Sequence, residues 1–282
     1  MSGFSASWLA LREPADHKAR DRALMAELGS CFAGRSELKI ADLGCGTGSN
    51  LRALAPYLPP RQTWRLIDHD PALLAGARKG IASWADRVDA EGIAEIRLAK
   101  EGRELAVSFH EADLARDPGA ALPDRVDLIT AAALFDLVSE AWIARFADAL
   151  ARRRAVFYTA LTYNGEEAWS PPHPADAAIL AAFNRHQTSD KGFGPSEGPA
   201  ASDRLSKALQ TKGYRVKRAD SPWRLDPSAE KALIADLAAG IAEAAVATGD
   251  VSKVVAADWL SARASGAACM IGHTDLLAVP AG

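Results

Sequence analysis

Cysteine is scarce: only Cys31, Cys45 and Cys269 occur among 282 residues, far apart and with no CxxC pair. An odd, scattered set of thiols excludes a disulfide framework, supplies no zinc site and suits a reducing compartment. HxH and HxxxH pairs are missing as well, so no metal is expected. No stretch approaches the roughly 18 uninterrupted apolar residues that a spanning helix needs. Near the amino terminus Arg12, Glu13, Asp16, Lys18 and Arg20 break up any apolar core, which argues against a secretory signal. Neither sign of charge is in surplus. The 33 Lys and Arg against 36 Asp and Glu leave a net charge of −3, whereas a nucleic-acid binder needs a basic excess or stripe to neutralise phosphates. The densest basic run, Arg152-Arg153-Arg154, reads as a solvated turn. With 49% hydrophobic and 24% charged residues, the expectation is a soluble, cytoplasmic globular protein that contacts neither membrane nor nucleic acid.

What is present is an alternation. Trp8–Phe32 carries helical spacing, interrupted near Pro14. Leu38–Leu43 then reads as a strand, Asn50–Tyr57 as a helix, Thr63–Ile67 as a strand and Ala72–Trp84 as a helix. Strands at Leu105–His110, Arg125–Ala131 and Ala155–Leu161 follow, with a helix at Glu140–Leu150 before the last. This rhythm predicts an α/β fold, a mostly parallel sheet with helices on both faces. Beyond residue 162 it breaks. Tyr163–Ser202 is rich in Pro and Gly and too long for a plain connection, so an ordered cap over a pocket is expected. A helix (Asp203–Lys212), a strand (Tyr214–Arg218), a helical stretch (Ser228–Ala264) and a strand (Ala268–Val279) complete the chain. The expectation is one domain over 1–282: a helical segment 1–36, a core 37–162, a cap 163–202, and carboxyl-terminal strands with a helical insertion over 203–282.

The chemistry concentrates at Gly44-Cys45-Gly46-Thr47-Gly48, between the first strand and the helix after it. Glycines there permit positive φ and let a ligand approach bare backbone. Asp68 lies twenty residues after Gly48, at the tip of the second strand, where a carboxylate can accept from both ribose hydroxyls of an adenosine. A dinucleotide fingerprint, GxGxxG, would need its third glycine at position 49, which is Ser49. Asp42, just before the loop, would repel a pyrophosphate but suits a cationic ligand such as the ammonium and sulfonium of S-adenosylmethionine. Methyl transfer is therefore favoured over hydride transfer by an NAD-dependent oxidoreductase, and a methyltransferase-like binding protein without turnover stands as a further alternative.

These motifs resemble those of class I S-adenosylmethionine-dependent methyltransferases over residues 38–162. Ala41-Asp42-Leu43-Gly44-Cys45-Gly46-Thr47-Gly48 resembles the family's first motif and Leu66-Ile67-Asp68-His69-Asp70-Pro71 its second. Glu111-Ala112-Asp113-Leu114 resembles the third and Asp127–Ala132 the fourth. The resemblance implies a Rossmann-like sheet of seven strands, the last antiparallel, with Tyr214–Arg218 and Met270–Val279 as sixth and seventh. It further implies that Asp42, Gly44, Cys45, Gly46, Gly48, Asp68, His69, Asp113, Leu114 and Ala131 surround S-adenosylmethionine. Asp113 would accept from the adenine amino group, the Leu114 amide would face the ring, and His69 would border the ribose. The chain departs from the pattern in three ways. Leu134-Phe135-Asp136 follows the fourth strand where Asn or His is frequent, no Asn-Pro-Pro-Tyr motif is found, and no cysteine follows a proline.

Methyl transfer is an in-line displacement governed by positioning, and a base is needed only where the acceptor holds its proton at neutral pH. His186 and His173, both in the cap, are the candidate bases. Tyr163, Asp136, Asp190 and Lys191 are candidates for contact with a small-molecule oxygen, nitrogen or carbon nucleophile. A helix ending at His186 and the Gly192-Phe193-Gly194-Pro195 turn should bring His186, Asp190 and Lys191 to one mouth. The amino-terminal helix has two readings: it folds over the cofactor so that Arg12 and Arg20 meet its carboxylate, or it is a surface helix packing through Trp8 and Leu24. His273-Thr274-Asp275 interrupts the last strand and reads as a bulge or edge.

Overall fold

The computed structural model describes residues 5–264 and 266–281. Two helices open the chain, α1 (Ala6–Ala19) and α2 (Arg22–Ser30). Pro14 stays inside α1, so the break expected there falls instead at Arg20–Asp21. A proline within a helix costs one hydrogen bond without ending it when packing holds the rest. Asp21 starts the second helix by accepting from the Leu24 amide at 2.6 Å.

The alternating stretch becomes β1 (Glu37–Leu43), α3 (Ser49–Leu54), β2 (Arg61–Asp68) and α4 (Pro71–Trp84). An antiparallel hairpin, β3 (Arg87–Glu91) and β4 (Glu95–Lys100), then leads into β5 (Arg103–Glu111), β6 (Leu128–Ala132), α5 (Glu140–Arg153) and β7 (Val156–Ser170). The remainder comprises α6 (Asp176–Gln187), α7 (Ala201–Thr211), β8 (Tyr214–Asp220), β9 (Trp223–Leu225), α8 (Lys231–Ala247), α9 (Lys253–Ala264) and β10 (Ala268–Pro280).

The strands form one ten-stranded sheet in the order β3-β4-β5-β2-β1-β6-β7-β10-β8, with β9 on the far part of β10. Strands β5, β2, β1, β6 and β7 run parallel, and β10 is antiparallel to both β7 and β8. The seven strands expected are therefore present, and β3, β4 and β9 are added to them. Two of those three escaped the sequence reading because β3 is exposed along its whole length and β9 has only three residues.

Side chains alternate across the sheet as strand geometry requires. Leu38 and Ile40 of β1 pack with Leu24, Leu28, Leu51 and Ile81 on one face, whereas Ala41 and Leu43 pack with Trp142, Phe146, Leu205 and Leu209 on the other. The basic run at the end of α5 is more than a solvated turn: Arg153 donates to the carbonyls of Pro123, Ala149, Gly119 and Leu122 and so pins the loop before β6.

The cap, expected over 163–202, begins as a continuation of a strand and goes on as α6. Strand β7 stays parallel to β6 only as far as Ala160, then continues to Ser170 paired with β10. This ribbon rises beyond the sheet's carboxyl edge and carries a third core, in which Trp169, Ile179, Trp223, Leu233, Ile241 and Trp259 pack together. The cap and the helical insertion thus share one core. No helix among the described residues is long and apolar enough to cross a membrane.

Candidate functional site

The glycine turn sits between β1 and α3, and all three glycines are left-handed, with φ of +63° at Gly44, +51° at Gly46 and +80° at Gly48. A Cβ at position 48 would come within 2.8 Å of Ile81 Cδ1, so close packing on α4 also demands glycine there. At Gly46 the bare backbone faces Leu9 of α1, whose Cδ1 would lie 3.0 Å from an added Cβ. Helix α1 thereby roofs the turn. It is anchored by the paired contacts of Glu13 with Arg52 at 2.6 and 2.7 Å, and by His17 Nε2 at 3.0 Å from Ser49 Oγ.

Acidic groups line the base of this turn. Asp68, at the tip of β2, accepts from the Gly46 amide at 2.8 Å and the Asp70 amide at 3.1 Å, and His69 Nδ1 lies 3.4 Å from its other side. Two backbone donors leave a carboxylate with acceptor capacity to spare. Asp42 is fully buried. Its Oδ1 accepts from Asn50 Nδ2 at 2.6 Å, the same Asn50 group reaches Thr130 Oγ1 at 3.1 Å, and its Oδ2 has no partner. Burial pushes the Asp42 carboxyl up to about 7, against the pull of Asn50 and Arg20 and with a push from Asp68. Arg20 is buried beside it with Nε and Nη1 unpartnered. Unpaired buried polar atoms of opposite kinds, an acceptor on Asp42 and donors on Arg20, are costly unless a ligand completes them. Cys45 is buried within the turn and Ala131 within β6, where it pairs with Leu43. Asp113 is exposed at the exit of β5, accepting from the Ala115 amide at 2.9 Å, and the Leu114 carbonyl accepts from Trp142 Nε1 at 2.7 Å.

The neighbouring strand ends hold strained backbone. Ala133 and Leu161, past β6 and within β7, take φ of +50° and +60°, a conformation that costs energy in residues bearing a Cβ and that clusters where function needs it. Asp275 of β10 holds this bend. It accepts from the Leu161 amide at 2.9 Å, from Tyr158 Oη at 3.0 Å and from the Asp21 amide at 3.0 Å.

A second polar group lies around Asp136, one turn after β6. Burial pushes its carboxyl up to about 6, opposed by its own backbone amide, the Arg12 charge, the Tyr163 amide and the Lys191 charge. Tyr163 Oη donates to Asn184 Oδ1 at 2.8 Å, and Lys191 Nζ lies 3.2 Å from His186 Nδ1. Burial, helped by Lys191 and opposed by Glu243, holds the His186 imidazole below its usual range. Asp136, Tyr163, Lys191 and His186 are therefore brought together. Asp190 is not part of this set, because its carboxylate closes the cap turn by accepting from the Gly192 and Gly194 amides at 2.6 and 3.0 Å. His173 stands at the opposite end of α6, its Nδ1 accepting from Ala175 and its Nε2 lying 3.3 Å from Asp258.

Asn50 and Asn184 carried no sequence signal of their own, whereas Arg12 and His273 did. Arg12 binds Asp16 through two contacts of 2.9 and 3.1 Å and stacks 4.9 Å above Trp223, so it is committed to a carboxylate of its own helix. His273 is buried between bulges of β10, against Trp223 and Tyr163. Two hollows elsewhere, about 370 Å³ beside Ala15, Lys18, Pro222 and Arg224 and about 340 Å³ beside Leu74, Arg78, Ile93 and Phe109, do not include the turn.

The strand order, with the last strand antiparallel between the fifth and sixth, is the arrangement of class I methyltransferases that the motifs resemble. No family model and no curated protein matches the sequence. Solved structures do. The YcgJ protein of Bacillus subtilis matches with a TM-score of 0.50 at 13% identity, over 93% of this chain and 100% of that one. A candidate methyltransferase from Bacillus halodurans gives 0.50 at 11% identity, over 92% and 100%. An S-adenosylmethionine-dependent methyltransferase from Geobacter sulfurreducens, solved with S-adenosyl-L-homocysteine, covers 100% of both chains at 15% identity and a TM-score of 0.46. The chain has the Rossmann-like fold of class I methyltransferases.

Proposed function

We propose that the protein is an S-adenosylmethionine-dependent methyltransferase, acting in the cytoplasm on a small-molecule nucleophile and releasing S-adenosylhomocysteine. The observation that carries the reading is the pair of opposite, buried, unpartnered groups beneath the glycine turn. The orphaned Oδ2 of Asp42 fits an ammonium, and the free donors of Arg20 fit a carboxylate, so together they match the zwitterionic end of the methionyl group. Asp68 would hold the ribose hydroxyls, with His69 beside them. The backbone of Gly44, Cys45, Gly46 and Gly48 would admit the nucleoside, Ala131 would line the donor pocket, and Asp113 and Leu114 would face the adenine.

The bound donor would supply an electrophilic methyl group, and the chain's own residues would do the positioning. The acceptor side would be formed by Asp136, Tyr163, Lys191 and His186, with Asp190 shaping the turn that carries Lys191. His173 enters this reading only as a support for α6. A dehydrogenase using NAD is the competing reading, and Asp42 argues against it because a buried acid before the loop opposes a pyrophosphate.

The test is isothermal titration of the full chain with S-adenosylhomocysteine and with NADH. Saturable binding of the first, weakened by Arg20→Met, is expected. Preference for NADH would reverse the assignment, and binding of neither would leave only a fold without this activity.

A further inference from the structure

Two buried polar atoms without partners flank Tyr163, whose amide meets the Asp136 carboxyl and whose backbone pairs with His273. Asp136 Oδ1 and His273 Nδ1 are both buried with no partner, and both feel the Arg12 charge. They come from different parts of the chain, one after β6 and one on β10, which Tyr163 of β7 links by backbone pairing with His273. The charged and titratable groups facing Asp136 are Arg12 from α1, Lys191 from the cap turn and Tyr163 from β7, with Glu167 acting on Tyr163 from further along that strand. Burial, with help from Arg12, drops the His273 imidazole to about 3, so it is neutral at working pH and serves as a hydrogen-bonding group without charge. Arg12 is already matched by Asp16, leaving Asp136 and Lys191 as opposite charges.

Charge decides which acceptor fits. A protonated amine would pair with Asp136 but has no lone pair with which to attack, and it would sit beside the Lys191 charge. A carboxylate would set its charge against Asp136 and would need no base. A neutral hydroxyl meets neither penalty, and it donates the hydrogen bond that Asp136 Oδ1 lacks.

We propose that Asp136 is the general base for a neutral, hydroxyl-bearing acceptor, with Lys191 tuning it and His273 completing the contacts of the bound molecule. This rests on the methyl-transfer reading above. The acceptor's O–H bond breaks and its proton goes to Asp136 Oδ1. The oxygen's electron pair forms the new O–CH3 bond, and the pair of the broken S–CH3 bond stays on sulfur. Asp136 is competent while ionised, above about pH 6 by the effect of burial. The two histidines first suggested by the sequence are then unnecessary as bases. His186 Nδ1 accepts from Lys191 Nζ, and His173 supports α6.

The experiment incubates the full chain with donor carrying a 13C-labelled methyl group and a deproteinised bacterial extract, and reads the carbon shift of the transferred label. The shift distinguishes attachment to oxygen, nitrogen, sulfur or carbon without naming the acceptor. An alkali-stable O-methyl product is expected. Asp136→Asn should lose about a hundredfold or more of the rate while keeping its affinity for S-adenosylhomocysteine. Lys191→Met, at a partly exposed position, removes a charge that holds Asp136 down, so the acid limb of its pH–rate profile should move to higher pH. Label on nitrogen, sulfur or carbon, an alkali-labile ester, or unchanged profiles in the variants would overturn the proposal and leave the methyl-transfer reading standing, whereas no product from protein that binds S-adenosylhomocysteine would overturn the proposal and point to binding without turnover. Failure to bind S-adenosylhomocysteine would instead remove that reading itself.

Discussion

Replacing Asp42 with Asn should stabilise the protein at alkaline pH while weakening its ligand. Asp42 is fully buried with one oxygen unpaired, and burial lifts its carboxyl from 3.8 to about 7. A carboxyl raised in the folded state gives stability that is complete below the unfolded value and is lost as pH climbs through the folded one. A gap of about 3 units at about 1.36 kcal/mol each amounts to about 4 kcal/mol once both states are ionised, of which about 2 to 3 accumulates between about pH 5 and about pH 8. The Asn side chain is isosteric, keeps an oxygen for Asn50 Nδ2 and carries no charge, so this loss disappears. Urea unfolding of both proteins should therefore show the variant's advantage growing by about 2 to 3 kcal/mol over that pH range. Asp136, also raised, is common to both proteins and cancels. Affinity for S-adenosylhomocysteine should rise with pH in the wild type, as Asp42 ionises to meet the ammonium, and should stay flat in the variant. An advantage independent of pH, or a variant less stable at alkaline pH, would refute the reasoning.

Three further changes probe the supports of the site. Gly46→Ala should cost about 1 kcal/mol from its left-handed φ, with Leu9 yielding slightly, and should weaken S-adenosylhomocysteine about tenfold, a change of about 1.4 kcal/mol; calorimetric titration and thermal melts check both. Asp275→Ala strands the donors on Asp21, Tyr158 and Leu161 and should lose about 3 kcal/mol or more in urea unfolding. Arg263→Met removes the buried guanidinium that meets Asp176 and Pro171 and stacks on Trp169 and Trp259. It should cost about 2 to 3 kcal/mol and make α9 the first site of limited proteolysis, whereas unchanged proteolysis would show that this network does not hold the cap.

The core strands were legible in the sequence because their apolar runs end in turn chemistry at regular spacing, as at Leu38–Leu43 before the glycines. Strand β7 was cut short at Leu161 because the polar residues that follow, Asn164 through Glu167, resemble a loop; only their pairing with β10 makes them a strand. The proposed donor side of the site could be read from local motifs, since Gly44–Gly48 and Asp68 are defined within their own turns. Its completion could not. Asn50 reaches Thr130 across 80 residues, and the Arg20 charge acts on Asp42 only once α1 folds over the turn. On the acceptor side, Asp136, Tyr163, Lys191 and His186 were named on residue type and position alone. Arg12 turned inward to Asp16, and His273 is buried by long-range pairing that no spacing rule encodes.

The central claim is that the turn at Gly44–Gly48 receives an adenosyl amino acid. A crystal structure of the full chain grown with S-adenosylhomocysteine tests it most directly. The ribose hydroxyls should meet the Asp68 carboxylate, and the ammonium and carboxylate of the ligand should satisfy Asp42 Oδ2 and Arg20. Density for the ligand anywhere else, or those two groups still unpartnered in a loaded crystal, would contradict it.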